Sequence, residues 1–241
     1  MAELQLHQFQ ISPFAAKVRR ALHYKGLAFD AINYAAADMG RIRKTVSQSG
    51  KLPVLEHHDR RIVDSTNILR YLEQTFPERP LLPNNPADRA RIHFIEDWAD
   101  ESFFVYDLIM RGWSNNVDWL LRDVLSHDTG AMRWLFQRVL PRVLRKNTVS
   151  QGLGRKTPEE VCADVEAHMD ALVDLLSEGD WLVGDALSLA DIAVASMCTV
   201  IERAEEAAAM MQARPVIQSW RERVDERTFP PNTPPAARGI T

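Results

Sequence analysis

Lys51-Leu52-Pro53-Val54-Leu55-Glu56 and, after a short break, Arg61-Ile62-Val63-Asp64-Ser65 decide the fold. Two short apolar runs flank His58-Asp59, a pair suited to a turn, so they read as a hairpin. Asp64-Ser65 then caps a helix in which Ile68, Leu69, Leu72 and Phe76 recur at helical spacing. Upstream, Leu4, Leu6 and Phe9 form a strand-like run that is broken at Ser12-Pro13. Proline in the first helical position behind a serine cap is a strong helix start. That helix runs through Val18, Ala21 and Leu22 and stops at Gly26. Phe29–Tyr34 reads as a second strand, and residues 38–47 as a weaker helix closed by Gly50. The order is β-α-β-α-β-β-α, a small α/β sheet domain over residues 1–77.

Residues 78–86 form a linker. The stretch 77–86 holds four prolines, each of which removes a backbone donor and disfavours helix in the residue before it. Beyond it strand signals vanish. Helical stretches at about 86–111, 116–125, 129–146, 158–178, 188–204 and 214–227 are separated by Gly, Asn and Pro breakers. Residues 87–228 therefore read as an all-helical domain, and residues 229–241 as a proline-rich, mobile tail.

Composition bounds the function. The chain has 241 residues, 46% hydrophobic and 26% charged, enough to bury a full core without disulfides or metal. Two cysteines, Cys162 and Cys198, are too few for a disulfide framework and point to a reducing, cytoplasmic compartment. No apolar run approaches a membrane span, and no basic-then-apolar leader is seen. The formal charge of −4 argues against generic nucleic-acid affinity. It is unevenly spread: residues 1–80 carry +4 and residues 81–241 carry −8. A basic patch on the first domain suits a small anion.

Four motifs in this order resemble the cytosolic glutathione transferase superfamily, over about residues 3–227. They are Ser12-Pro13-Phe14-Ala15-Ala16-Lys17-Val18-Arg19 at the first strand-to-helix turn, Lys51-Leu52-Pro53-Val54-Leu55, Asp64-Ser65, and Ser188-Leu189-Ala190-Asp191. The resemblance implies a thioredoxin-like βαβαββα domain followed by the family's helical domain. It implies glutathione as co-substrate, a homodimer, and transfer of the glutathione thiolate to a small apolar electrophile. Peroxidase or isomerase chemistry, and a non-enzymatic binding or interaction role, are the alternatives. The segment Gln151–Glu160 resembles metaxin-like and axon-connection-type relatives, which favours the last of these.

The same resemblance assigns roles. Ser12 would donate a hydrogen bond to the thiolate, aided by the helix dipole, because the thiolate is the nucleophile. Leu52 and Pro53, in a cis bond, would pair with the cysteinyl backbone of glutathione, beside Phe14. Ser65 would take the γ-glutamyl carboxylate at a helix N-terminus, Asp64 its ammonium, and Lys51 the glycyl carboxylate. Neither Ser12 nor Ala15 is a cysteine, which disfavours disulfide exchange through a protein thiol. Trp98, Ser102, Tyr106 and Met110 recur every four residues, with Trp113 beyond, a stripe that is core or, where it lines a cleft against the Ser12 loop, the electrophile pocket. Ser188 and Asp191 read as a capping box with no ligand role. His57-His58 beside Asp59 lacks a convergent third ligand, so no metal is expected.

Overall fold

The computed structural model of the chain describes residues 3–125, 130–230 and 233, with side chains at 123 and 131–133 outside the described set. Its first domain is a four-stranded sheet of β1 (Leu4–Gln8), β2 (Phe29–Asn33), β3 (Val54–His57) and β4 (Arg60–Val63). The strand order is β2-β1-β3-β4, with β1 parallel to β2 and antiparallel to β3. Leu6 and Leu55 face each other across β1 and β3, and both are fully buried. Helices α1 (Pro13–Lys25), α2 (Met39–Thr45) and α3 (Ser65–Thr75) complete the unit. The Ser12 side chain caps α1 and Gly26 ends it with φ 73°, a left-handed geometry that glycine adopts without strain.

The second domain contains no strand among the described residues. It comprises α4 (Pro86–Asp97), α5 (Phe104–Arg111), α6 (Val117–Val124), α7 (Gly130–Gln151), α8 (Pro158–Ser177), α9 (Leu189–Ile201), α10 (Glu205–Gln212) and α11 (Pro215–Thr228). Every residue of α9 is buried, and α1, α4, α5 and α11 pack around it. One continuous core thus spans both domains.

Three details depart from the sequence expectation. The helix expected over 86–111 is interrupted by a π-helical turn at Trp98–Phe103. Helix α10 lies where no helix was expected. Its first N–H, that of Glu205, donates to Asn116 Oδ1 at 3.1 Å, so its cap comes from a distant residue. Phe229, assigned to the tail, is buried and lies under the Arg20 guanidinium at 4.5 Å from its ring centre. The rest of the expected tail, apart from Pro230 and Thr233, lies outside the described residues. The linker is tied down: the Leu81 N–H donates to the Glu73 carboxylate, and the Leu81 carbonyl accepts from Leu189.

Candidate active site

A cleft of about 420 Å³ opens between the two domains. From the first domain it is lined by Phe14, Lys51, Leu52, Pro53, Asp64 and Ser65. Those six were all expected at a peptide site from their motifs, and the fold brings them to one place. The strand topology accounts for this. Residues 51–53 lead into β3, and Asp64-Ser65 join β4 to α3, so both segments lie at one end of the sheet.

The local geometry suits an extended, charged ligand. The Leu52-Pro53 bond is cis. Asp64 is the N-cap of α3, with Oδ1 accepting from the Asn67 N–H at 3.1 Å. Its φ of 83° is rare for a residue with a Cβ, a conformation that persists when its surroundings over-determine it and that clusters at ligand clamps. Ser65 follows in the first turn and is 4% exposed. The helix N-terminus there presents free N–H groups to a carboxylate.

Ser12 stands apart from the six. It is absent from the cleft lining, although Phe9 and Phe14 on either side belong to it. Its hydroxyl accepts from the Ala15 N–H at 3.4 Å, a long capping bond, and its own N–H donates to the Phe9 carbonyl. The cap uses the hydroxyl oxygen as an acceptor, so its hydrogen is not used in that bond.

The expected electrophile stripe faces elsewhere. The Tyr106 hydroxyl donates to Asp164 of α8 at 2.8 Å, and Lys156 also pairs with that carboxylate. Burial and this carboxylate together hold the phenol pKa above its ordinary value. Trp98 stacks on Phe103 and meets the His168 ring edge-on. Met110 is fully buried in the core. Ser102 is half-buried and outside the cleft lining, and Trp113 lines two other cavities. The cleft is lined instead by Glu101, Phe104, Val105 and Leu108, the neighbouring face of the same segment. The π turn explains the difference: it changes the residues per turn, so a four-residue repeat carried across it does not predict one face. Phe104 meets Phe14 edge-to-face at 4.7 Å, an aromatic contact between the two domains.

Asp100 is the residue that sequence reasoning missed. Its Oδ2 accepts from Lys17 Nζ at 2.6 Å, and Glu96 Oε1 lies 2.7 Å from the same ammonium. Lys17 has no exposed side-chain surface. Thr66 Oγ1, next to Ser65, lies within 3.3 Å of both carboxylates. Burial raises the Asp100 pKa, opposed by Lys17. Its Oδ1 is buried with no hydrogen-bond partner, and the residue lines the cleft. As a cleft-lining residue, Asp100 places a carboxyl group beside the site. The available signal was Glu96 and Asp100 at i, i+4, set against a lysine inside the first motif.

Two other expectations meet the structure here. Burial pushes the Cys198 thiol up to about 12 and raises Cys162 as well, so neither supplies a thiolate at neutral pH. The His57-His58 pair does have a third convergent group, contrary to expectation. It is Glu3, whose Oε1 lies 3.3 Å from His57 Nε2 and 2.6 Å from His58 Nε2. None of the three lines the cleft. The antiparallel pairing of Leu4 with His57 brings Glu3 there, a juxtaposition invisible along the chain.

A sheet-and-helix domain joined to a helical domain, with a peptide-sized cleft between them, defines the class. Residues 6–80 match the family model described as glutathione S-transferase, N-terminal domain, and residues 138–228 the model described as glutathione S-transferase, C-terminal domain. The chain belongs to the glutathione transferase superfamily. It is 29% identical over 204 residues to FtsZ-localized protein A of Caulobacter vibrioides, covering 83% of this chain and 78% of that protein. It is 43% identical over 94 residues to glutathione S-transferase 1 of Dianthus caryophyllus, covering 36% of this chain and 41% of that protein. The chain thus spans under half the length of that plant relative. A solved glutathione S-transferase from Rhodospirillum rubrum F11 superposes with a TM-score of 0.68 at 25% identity, covering 97% of this chain and 91% of that one.

Proposed function

We propose that the cleft binds glutathione and presents its thiolate to a small apolar electrophile. The observation that carries this reading is the convergence of Lys51, Leu52, Pro53, Asp64 and Ser65 on one cavity whose polar wall from the second domain carries Asp100, Glu101 and Gln151. Ser65 and the α3 N-terminus take the γ-glutamyl carboxylate, and Asp64 and Asp100 take its ammonium. The extended segment before Pro53 pairs with the cysteinyl backbone, and Lys51 takes the glycyl carboxylate. Ser12 donates to the sulfur. The thiol loses its proton to solvent, the thiolate forms a carbon–sulfur bond, and the electrophile's leaving group departs with its electron pair. Phe9, Phe14, Phe104, Val105 and Leu108 supply an apolar wall for that electrophile. A homodimer belongs to this reading through the family resemblance.

Ser65→Ala tests the binding half. Calorimetric titration with glutathione should show affinity falling at least tenfold, since a charge-assisted hydrogen bond contributes about 1.5–3 kcal/mol. Thermal stability should fall little, because Asp64 rather than Ser65 holds the cap. Equal affinities would remove Ser65 from the site.

A second reading is a transferase fold used for binding with little turnover. It is favoured by the position of Ser12 outside the cleft lining and by the long match to a relative named for its co-localisation with FtsZ. Glutathione binding without acidification of its thiol would select it.

A further inference from the structure

Between Asp128 and Glu159 the chain has seven Lys/Arg and no acidic residue, within a protein of net charge −4. Most of that stretch is helix α7, which packs against α5, α6 and the 3-10 turn Leu153–Arg155. The outward side of α7 carries Arg138, Arg142, Arg145 and Lys146, all exposed. Among them stand large apolar side chains in water: Trp134 at 57% exposure, Leu135 at 47%, Val139 at 42% and Val143 at 44%. At 3.6 residues per turn these eight positions fall within about half of the helix circumference. Single exposed apolar residues are ordinary, but four on one helix face among four cations are a patch.

We infer that this face of α7 docks on an anionic lipid bilayer surface. A helix with arginines and lysines interleaved with Trp, Leu and Val lies in the plane of a membrane interface, its apolar groups in the headgroup–acyl boundary and its cations on phosphates. Arg138 lies over the Trp134 ring at 3.8 Å, and Arg122 of neighbouring α6 lies over Trp119, 44% exposed, at 4.4 Å. Two exposed indoles, each paired with a guanidinium, match the amphipathic chemistry of that boundary. Arg142 and Arg145, with Lys156, also line a cavity of about 470 Å³ that is otherwise largely apolar, with Ile109, Trp113 and Leu144 in its wall. A lipid headgroup and the start of its acyl chain fit such a lining. Among the described residues no helix is long and apolar enough to cross a membrane, so the contact is superficial.

Charge decides against the other occupants. A two-fold contact between copies through α7 would set this cationic stripe near its own image, and like charges oppose each other. Nucleic acid would satisfy the arginines but would leave the valines and leucine of the face without apolar partners.

The test is co-sedimentation of the full chain with vesicles of phosphatidylcholine alone and of phosphatidylcholine mixed with phosphatidylglycerol. Binding is expected only to the mixed vesicles, weakening steeply as salt rises. At about fivefold per basic residue near the surface, R138A/R142A should bind about 25-fold more weakly. W134A should weaken binding with the salt dependence retained, which separates the apolar contribution from the ionic one. Circular dichroism and melting of each variant, expected to match the parent, show that the fold is intact. Equal binding to both vesicle types, or to neither, would overturn the inference. So would a change of sedimenting mass in W134A, which would assign the face to self-association, or displacement from vesicles by duplex DNA.

Discussion

Ser12 caps α1, and the proposed donation to the glutathione sulfur would use the same hydroxyl. Its capping bond is long at 3.4 Å. If the hydroxyl donates to bound glutathione, Ser12→Ala and Ser12→Gly should both raise the bound thiol's pKa by about one to two units, the equivalent of one charge-assisted hydrogen bond. Glycine caps nearly as well as serine, so Ser12→Gly should keep its stability within a few tenths of a kcal/mol. Ultraviolet thiolate absorbance, titrated in the complex, reads the pKa directly, and turnover with a generic aromatic electrophile should fall with it. An unchanged titration in Ser12→Gly would leave Ser12 as a cap alone. Asp64 shows how far single residues are legible. Its capping role follows from residue type and position, whereas its φ of 83° follows from the hairpin and helix that meet there.

At the scale of elements, α9 is held by one carboxylate. Asp191 was legible as the third residue of a capping box, a role whose loss costs about 0.5–2 kcal/mol. The structure gives it more to do. The Ser188 N–H and hydroxyl donate to Oδ2, and the Leu182 N–H and Trp220 Nε1 donate to Oδ1, all within 2.9 Å. Asp191 and Trp220 are both fully buried. Asp191→Ala should therefore cost more than a cap, about 3–5 kcal/mol, because buried donors are orphaned at about 1–3 kcal/mol each. Urea unfolding measures this, and a loss below about 2 kcal/mol would return Asp191 to a simple cap. The α4–α5 segment teaches the converse. Its helical spacing was readable, but the π turn that selects Phe104, Val105 and Leu108 for the cleft has no signature in spacing. Likewise α10 has good helix formers, yet its start is set by Asn116 from another part of the domain.

For the molecule as a whole, Lys17 couples the two domains. It reaches from α1 to Glu96 of α4 and Asp100 of the π turn, buried on every side. Lys17→Met leaves two buried carboxylates without their cation and should cost about 3–5 kcal/mol at neutral pH. Burial already raises the folded-state pKa of Asp100, and losing Lys17 raises it further. A carboxyl whose folded pKa exceeds its unfolded value binds a proton preferentially in the fold, so its stability contribution is present in acid and lost as pH rises. The variant's deficit should therefore shrink as pH falls through the raised Asp100 pKa towards the ordinary carboxylate range. Melting temperatures compared across that range check it, and a deficit independent of pH would remove the carboxylates as its cause. Lys17→Met/Glu96→Gln/Asp100→Asn should recover most of the loss, since hydrogen-bonding neutral groups replace the stranded charges.

Local sequence was enough to read the two-domain division, the strand and helix order of the first domain, and six residues that the fold brings to the cleft. These follow from local rules, namely hydrophobic period, proline and glycine punctuation, and caps, which act over a few neighbouring residues. The tertiary structure alone decided which side of the α4–α5 segment faces the cleft, the pairing of Lys17 with Asp100, the meeting of Glu3 with His57 and His58, and the cap of α10. Each of these joins residues far apart in the chain, where no local periodicity carries information. What selects them is the burial of charge and apolar surface in three dimensions.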